Sequence, residues 1–144
     1  MYFRAQREIV SERFDKAIPY LKKALQFNPT DGAAYNDLAL CRMEMGKIDG
    51  VLELFDQGIA VEGDYATIHH NKGWFLNKLG LHEKALVCFR RALKLDPGRA
   101  VTYENMADAY ESLGRIEEAM EAYRKTLQLL RSASVRISQL FSTQ

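Results

Sequence analysis

The sequence predicts an all-α fold, a solenoid of antiparallel helix hairpins. Three observations lead there. Residues 32–65, 66–99 and 100–133 align with one another at a period of 34 without one insertion. Within the copies, helical spacing recurs: Tyr35, Leu38, Ala39 and Arg42 share a face, as do Tyr103, Met106, Ala107 and Tyr110. No run of β-branched residues alternates with polar ones, so no strand is expected. A fixed period of this length marks units that bury their apolar faces against their neighbours.

The elements follow in order. The first unit, residues 1–31, carries Ala17, Leu21, Ala24 and Pro29 in register with the later copies. Its first helix starts only at Met1 and lacks the opening residues of the pattern, which suggests a cut from a longer chain. Thr30 and Asp31 can cap the helix that follows. In the second unit, residues 32–65, Gly46 stands where a helix end needs a left-handed residue; Gly80 and Gly114 repeat this in units 66–99 and 100–133. The second helix of the second unit is expected to contain Gly50 and Gly58 and to end at Gly63. Interior glycines cost roughly 0.5–1 kcal/mol each relative to Ala. Gly58 reads as a close-packing position and Gly50 as a hinge. Pro97 closes the second helix of the third unit. In the tail, residues 134–144, Ile137, Leu140 and Phe141 lie at i, i+3 and i+4. A short capping helix packed on the fourth hairpin is expected there, with Ser132 or Ser134 as its N-cap.

The repeated positions resemble the tetratricopeptide repeat (TPR) family. The first large position holds Tyr35, His69 and Tyr103, and the Leu position holds Leu38, Lys72 and Met106. The small position after it holds Ala39, Gly73 and Ala107. On the second helix the Ala position holds Val51, Ala85 and Ala119, and the aromatic is Phe55, Phe89 or Tyr123. The next small position holds Gly58, Ala92 and Thr126, and the Pro position Gly63, Pro97 and Arg131. The resemblance covers Met1 to about Ala133. It implies a right-handed superhelix whose first helices line a concave, peptide-binding groove.

Carried over residue by residue, the resemblance places Asn36, Asp37, Leu40, Met43 and Glu44 on that groove from the second unit, beside Ala33. The third unit contributes His70, Asn71, Trp74, Asn77 and Lys78, beside Thr67. The fourth contributes Glu104, Asn105, Asp108 and Glu111, beside Val101 and Ser112. Tyr2, Phe3, Gln6, Ile9 and Val10 would extend the face in the first unit. Trp74 is the only Trp, and with Leu40 and Met43 it gives the groove an apolar part. Glu104, Asp108 and Glu111 form a one-turn-spaced acidic wall suited to a ligand bearing Lys or Arg. The family's grip on the C-terminal carboxylate of heat-shock chaperones needs cations. The matching positions are Tyr2, Gln6, Asp37, Thr67 and Asn71, or Asn36, Leu40, Asn71, Val101 and Asn105, so that ligand does not fit.

Composition narrows the function further. The 144 residues are 27% charged and 47% hydrophobic, with a net charge of +1, fitting one soluble domain without a field for nucleic acid or acidic membranes. The basic pairs Lys22-Lys23, Arg90-Arg91 and Arg124-Lys125 read as a solvated outer face. No stretch approaches the ~18 apolar residues of a membrane span. The charged N-terminus does not read as a signal peptide, so the cytoplasm is expected. Cys41 and Cys88 read as buried reduced thiols, and the Cys and His spacing matches no zinc motif. No phosphate loop, nucleophile elbow or metalloprotease helix is present, so neither catalysis nor a cofactor is expected. The expected function is a protein-interaction scaffold holding a peptide or short helix with cationic residues. The alternative is self-association, with the open end at Met1 stacking on another copy.

Overall fold

The computed structural model describes Ala5 and residues 13–142, and among these the chain is helical with no strand. From residue 13 to 142 seven helices follow in order: α1 (Phe14–Phe27), α2 (Gly32–Glu44), α3 (Val51–Val61), α4 (Ala66–Lys78), α5 (His82–Leu95), α6 (Ala100–Ser112) and α7 (Ile116–Ser142). The helices expected at 32–65, 66–99 and 100–133 therefore fall as the pairs α2/α3, α4/α5 and α6/α7. The helix expected from Met1, with Tyr2, Phe3, Gln6, Ile9 and Val10, lies outside the described residues apart from Ala5, which is helical and buried. The chain divides into two compact units, Met1–Lys72 and Gly73–Gln144.

In the first unit α1 packs on α2 and α2 on α3. Ala17 and Leu21 of α1 bury against Ala34, Leu38 and Cys41 of α2, with Phe14, Ile18 and Leu54 around them. Small residues allow this approach. A Cβ on Gly58 would overlap Ile68 Cδ1 and lie 3.0 Å from Tyr35 Cβ, so Gly58 is a close-packing position as expected. Asp31 caps α2, its carboxylate accepting from the N–H groups of Ala33 and Ala34. In the second unit α5 packs on α6 and α6 on α7. Gly73 lies against the fully buried ring of Phe89. Arg115 ties α7 to α5 through Glu118 and Glu83, and its guanidinium stands 5.0 Å over the Tyr110 ring.

The turn glycines serve as the sequence predicts. Gly46, Gly80 and Gly114 adopt φ of 74°, 81° and 74°. The carbonyl of Arg42 accepts from the Lys47 N–H while that of Met43 accepts from Gly46, and the same pair of bonds recurs after α4 and α6. This is the Schellman arrangement, which satisfies carbonyls at the helix end.

Two expectations are corrected. Gly50 does not lie inside a helix: it is the N-cap of α3 at φ 80°, before the first helical residue Val51. Its role is a left-handed turn position, and the hinge assigned to it has no helix interior to bend. The tail, moreover, does not form a separate capping helix. Helix α7 runs unbroken for 27 residues, because nothing from Ile116 to Ser142 is Gly or Pro. Ser132 does not cap; its hydroxyl bonds back to the Gln128 carbonyl inside the helix. Ile137, Leu140 and Phe141 are 55–71% exposed rather than packed on the fourth hairpin.

Candidate functional site

In the first unit the expected face of α2 is only partly open. Asp37, Leu40 and Met43 are half-buried and Glu44 is exposed. Asn36, at 2% exposure, points inward, and its Oδ1 accepts from Nδ2 of Asn71 on α4 at 2.9 Å. This bond joins consecutive first helices. His70 is likewise buried at 6%. Both are thus more buried than the open positions the resemblance assigns to them. Cys41 lies one turn from Asp37 and nearly one from Glu44; burial first, then these two acids, push its thiol up to about 11. Both cysteines are free and buried, as expected. His69 is also buried, and its Nε2–H donates to the Gly63 carbonyl at 2.8 Å. Lys72, at a position usually apolar, extends its stem to place Nζ 2.6 Å from Asp56.

In the second unit Trp74 is 37% exposed, and Lys78 one turn on lays its ammonium 5.2 Å from the ring centroid. The indole is thus shielded by an intramolecular cation–π contact. Asn77 is half-buried and accepts from Nδ1 of His82 at the start of α5. On α6, Glu104, Asp108 and Glu111 are exposed and Asn105 is half-buried. The α6 acids act together on Tyr123 of α7. Its hydroxyl donates to Glu111, and this bond, burial and the charges of Glu111, Asp108 and Glu104 raise its pKa above the ordinary value. Tyr123 occupies the aromatic packing position that Phe55 and Phe89 fill while fully buried, yet it is 37% exposed.

The basic pairs are exposed, as expected of a solvated face. Arg90 reaches the Tyr110 hydroxyl and Arg124 pairs with Glu121. Among the described residues no group of three His, Cys, Asp or Glu could hold a metal, and no helix is long and apolar enough to cross a membrane.

Two models described as tetratricopeptide repeat match residues 10–70 and 64–132. Protein FlbA of Caulobacter vibrioides is 31% identical over 123 residues, covering 83% of this chain and 20% of the relative. The mouse protein O-mannosyl-transferase TMTC1 is 32% identical over 118 residues, 79% of this chain and 12% of the transferase. The chain thus spans a fifth or less of these relatives. Among solved structures, a MamA crystal structure superposes with a TM-score of 0.85 at 22% identity, covering 92% of this chain and 78% of that one. YrrB, described as a TPR protein with an unusual peptide-binding site, superposes at 0.75 and 20% identity, covering 87% of this chain and 64% of that one. At these identities the likeness is one of fold.

Proposed function

The chain belongs to the tetratricopeptide repeat family, and from that premise we propose that it is a non-catalytic interaction module whose second unit holds a protein segment bearing Lys or Arg. The observation that carries the reading is the α6 face, where Glu104, Asp108 and Glu111 are exposed at one-turn spacing. Their combined field on Tyr123 supports it. Exposed carboxylates in one row attract cations and set the register of an extended ligand. Trp74 supplies aromatic surface in the same unit, once Lys78 is displaced from its ring. In the first unit Asp37, Glu44, Leu40 and Met43 offer a smaller face of the same mixed character. YrrB, with its peptide-binding site, is consistent with such a role. The cytoplasm is the proposed location.

The test is a titration with Arg-rich and Glu-rich peptides of equal length, read by Trp74 fluorescence and calorimetry. Binding of the Arg-rich peptide alone is expected, weakened by salt because exposed pairs are screened. A triple change of Glu104, Asp108 and Glu111 to Gln should abolish the preference. Equal binding of both peptides, or of neither, would overturn the reading.

A further inference from the structure

Helix α7 has a second face that the hairpin does not use. Its buried residues Ala119, Ala122 and Thr126 lie in the first half, where the 13-residue α6 runs beside it. The 27-residue α7 extends well beyond that cover. On the stripe beside this contact stand Met120, Tyr123, Leu127, Leu130, Ile137 and Phe141, all between 37% and 71% exposed. Their spacing is 3, 4, 3, 7 and 4, with Ser134 filling the interval of 7 and Ile116 one step before Met120. This is an unbroken heptad seam from 116 to 141. Its a positions are Met120, Leu127, Ser134 and Phe141, and its d positions Ile116, Tyr123, Leu130 and Ile137. At about 100° per residue these side chains keep to one stripe. A regular alternation of three and four is the pattern by which helices wind around a partner helix.

We propose that this seam pairs with the same seam of a second copy, as a parallel, in-register two-helix coiled coil. Charge on its two flanks selects a copy of this chain and the parallel sense. One flank carries Glu117, Arg124, Arg131 and Ser138 at its e positions, cationic through the middle of the seam. The other carries the uncharged Ala119, Thr126, Ala133 and Leu140, and beside the first of them the exposed acids of α6. Tyr123 marks the junction, since this seam residue bonds to Glu111 and feels Asp108 and Glu104. In a parallel pair the e flank of each helix meets the g flank of the other. The arginines of one copy therefore approach the acids beside the seam of its partner, twice by symmetry. An antiparallel pair brings e flank to e flank, and in the register that overlaps the whole seam it sets Arg124 near Arg131 of the other copy and leaves Glu117 opposite Ser138. A membrane surface would face the seam with Glu104, Asp108 and Glu111 alongside, which anionic lipid repels. Ser134, the polar a residue, meets its own counterpart only when the register is exact to the residue.

The inference does not rest on the peptide reading, although the acids are common to both. Oligomeric state in the absence of peptide tests one, and Trp74 titration of a monomeric variant tests the other. Sedimentation equilibrium of the full chain from ~1 to ~100 µM should show a monomer–dimer equilibrium by mass action. Leu127→Glu and, separately, Leu130→Lys alter half-exposed side chains and should give folded helical monomers whose melting temperature no longer rises with protein concentration. Arg124→Glu with Arg131→Glu should weaken the dimer ~10-fold or more at low salt, and adding Glu104→Lys with Asp108→Lys should restore it. Ser134→Cys should form an intermolecular disulfide on mild oxidation. A wild-type monomer throughout that range overturns the proposal, including one that instead binds anionic vesicles. So does a dimer that survives Leu127→Glu. A dimer in which Ser134→Cys does not cross-link, or in which the double reversal fails to rescue, overturns the parallel arrangement.

Discussion

Replacing Gly73 with Ala sets two opposed effects against each other in a helix interior. Ala is the better helix former by about 1 kcal/mol. A Cβ at Gly73, however, would stand 2.7 Å from Phe89 Cε1, 2.8 Å from Cδ1 and 3.2 Å from the Ala85 carbonyl oxygen. Ordinary carbon contacts lie near 3.5–4.0 Å. The ring must therefore retreat by roughly 1 Å, or α4 must lift from α5. Phe89 is fully buried, with close-packed atoms around it. Overpacking of this kind costs about 1–3 kcal/mol. The net effect of Gly73→Ala is a loss of up to ~2 kcal/mol, which for a chain of this length lowers Tm by up to about 6 °C. Gly98→Ala is the control: its Cβ would meet nothing within 4 Å and its φ is negative or extended. Urea denaturation followed by circular dichroism compares the three proteins. A Gly73→Ala variant more stable than wild type by the full ~1 kcal/mol of helix propensity, with Gly98→Ala neutral, would refute the packing argument.

Three further outcomes are expected. Because Tyr123 has a raised pKa in the folded chain, its hydroxyl stabilises the fold below the ordinary tyrosine pKa near 10, and the contribution is lost as pH rises through the folded value. The stability gap between wild type and Tyr123→Phe should be constant from about pH 7 to 9 and close above about 10; a gap that widens there contradicts the bond to Glu111. Lys78→Ala uncovers the Trp74 ring, so acrylamide should quench it more efficiently at a cost of only ~0.5–1 kcal/mol in stability, and unchanged quenching would show that the ammonium does not shield it. Cys41, buried and with its thiol pushed up to about 11, should stay unlabelled by Ellman's reagent at pH 8 until the chain is unfolded; rapid labelling of both thiols in the native protein would contradict their burial.

What the sequence made legible were features fixed by a single local requirement that recurs. A left-handed residue after α2, α4 and α6 demands glycine, so Gly46, Gly80 and Gly114 could be read directly. Asp31 before an apolar helical run is a cap wherever it occurs. Gly58 was legible as a contact because a small residue recurs at its position. The misreadings concern residues whose role depends on a neighbour. Asn36 and His70 stand at open positions of the pattern, yet both are buried. Gly50 could open the helix or lie within it, and only its φ decides. Ser132 and Ser134 carry the chemistry of an N-cap, but with no break before them the helix carries both inside it. The heptad seam of α7 was present in the residues all along. The tail alone was read at helical spacing, and joining it to the preceding helix doubled the length of the pattern.

The pairing of each helix with the one next to it in sequence bears on how the chain acquires its shape. Within each unit α1 meets α2, α2 meets α3, α5 meets α6 and α6 meets α7. Contacting residues are thus a few tens of positions apart, and little loop-closure entropy is spent before a contact forms. Chains with such low contact order fold in microseconds to milliseconds. Any hairpin can serve as the nucleus, and a ribosome releasing the chain N-terminus first would find each pair able to collapse as it emerges, before its successor is made.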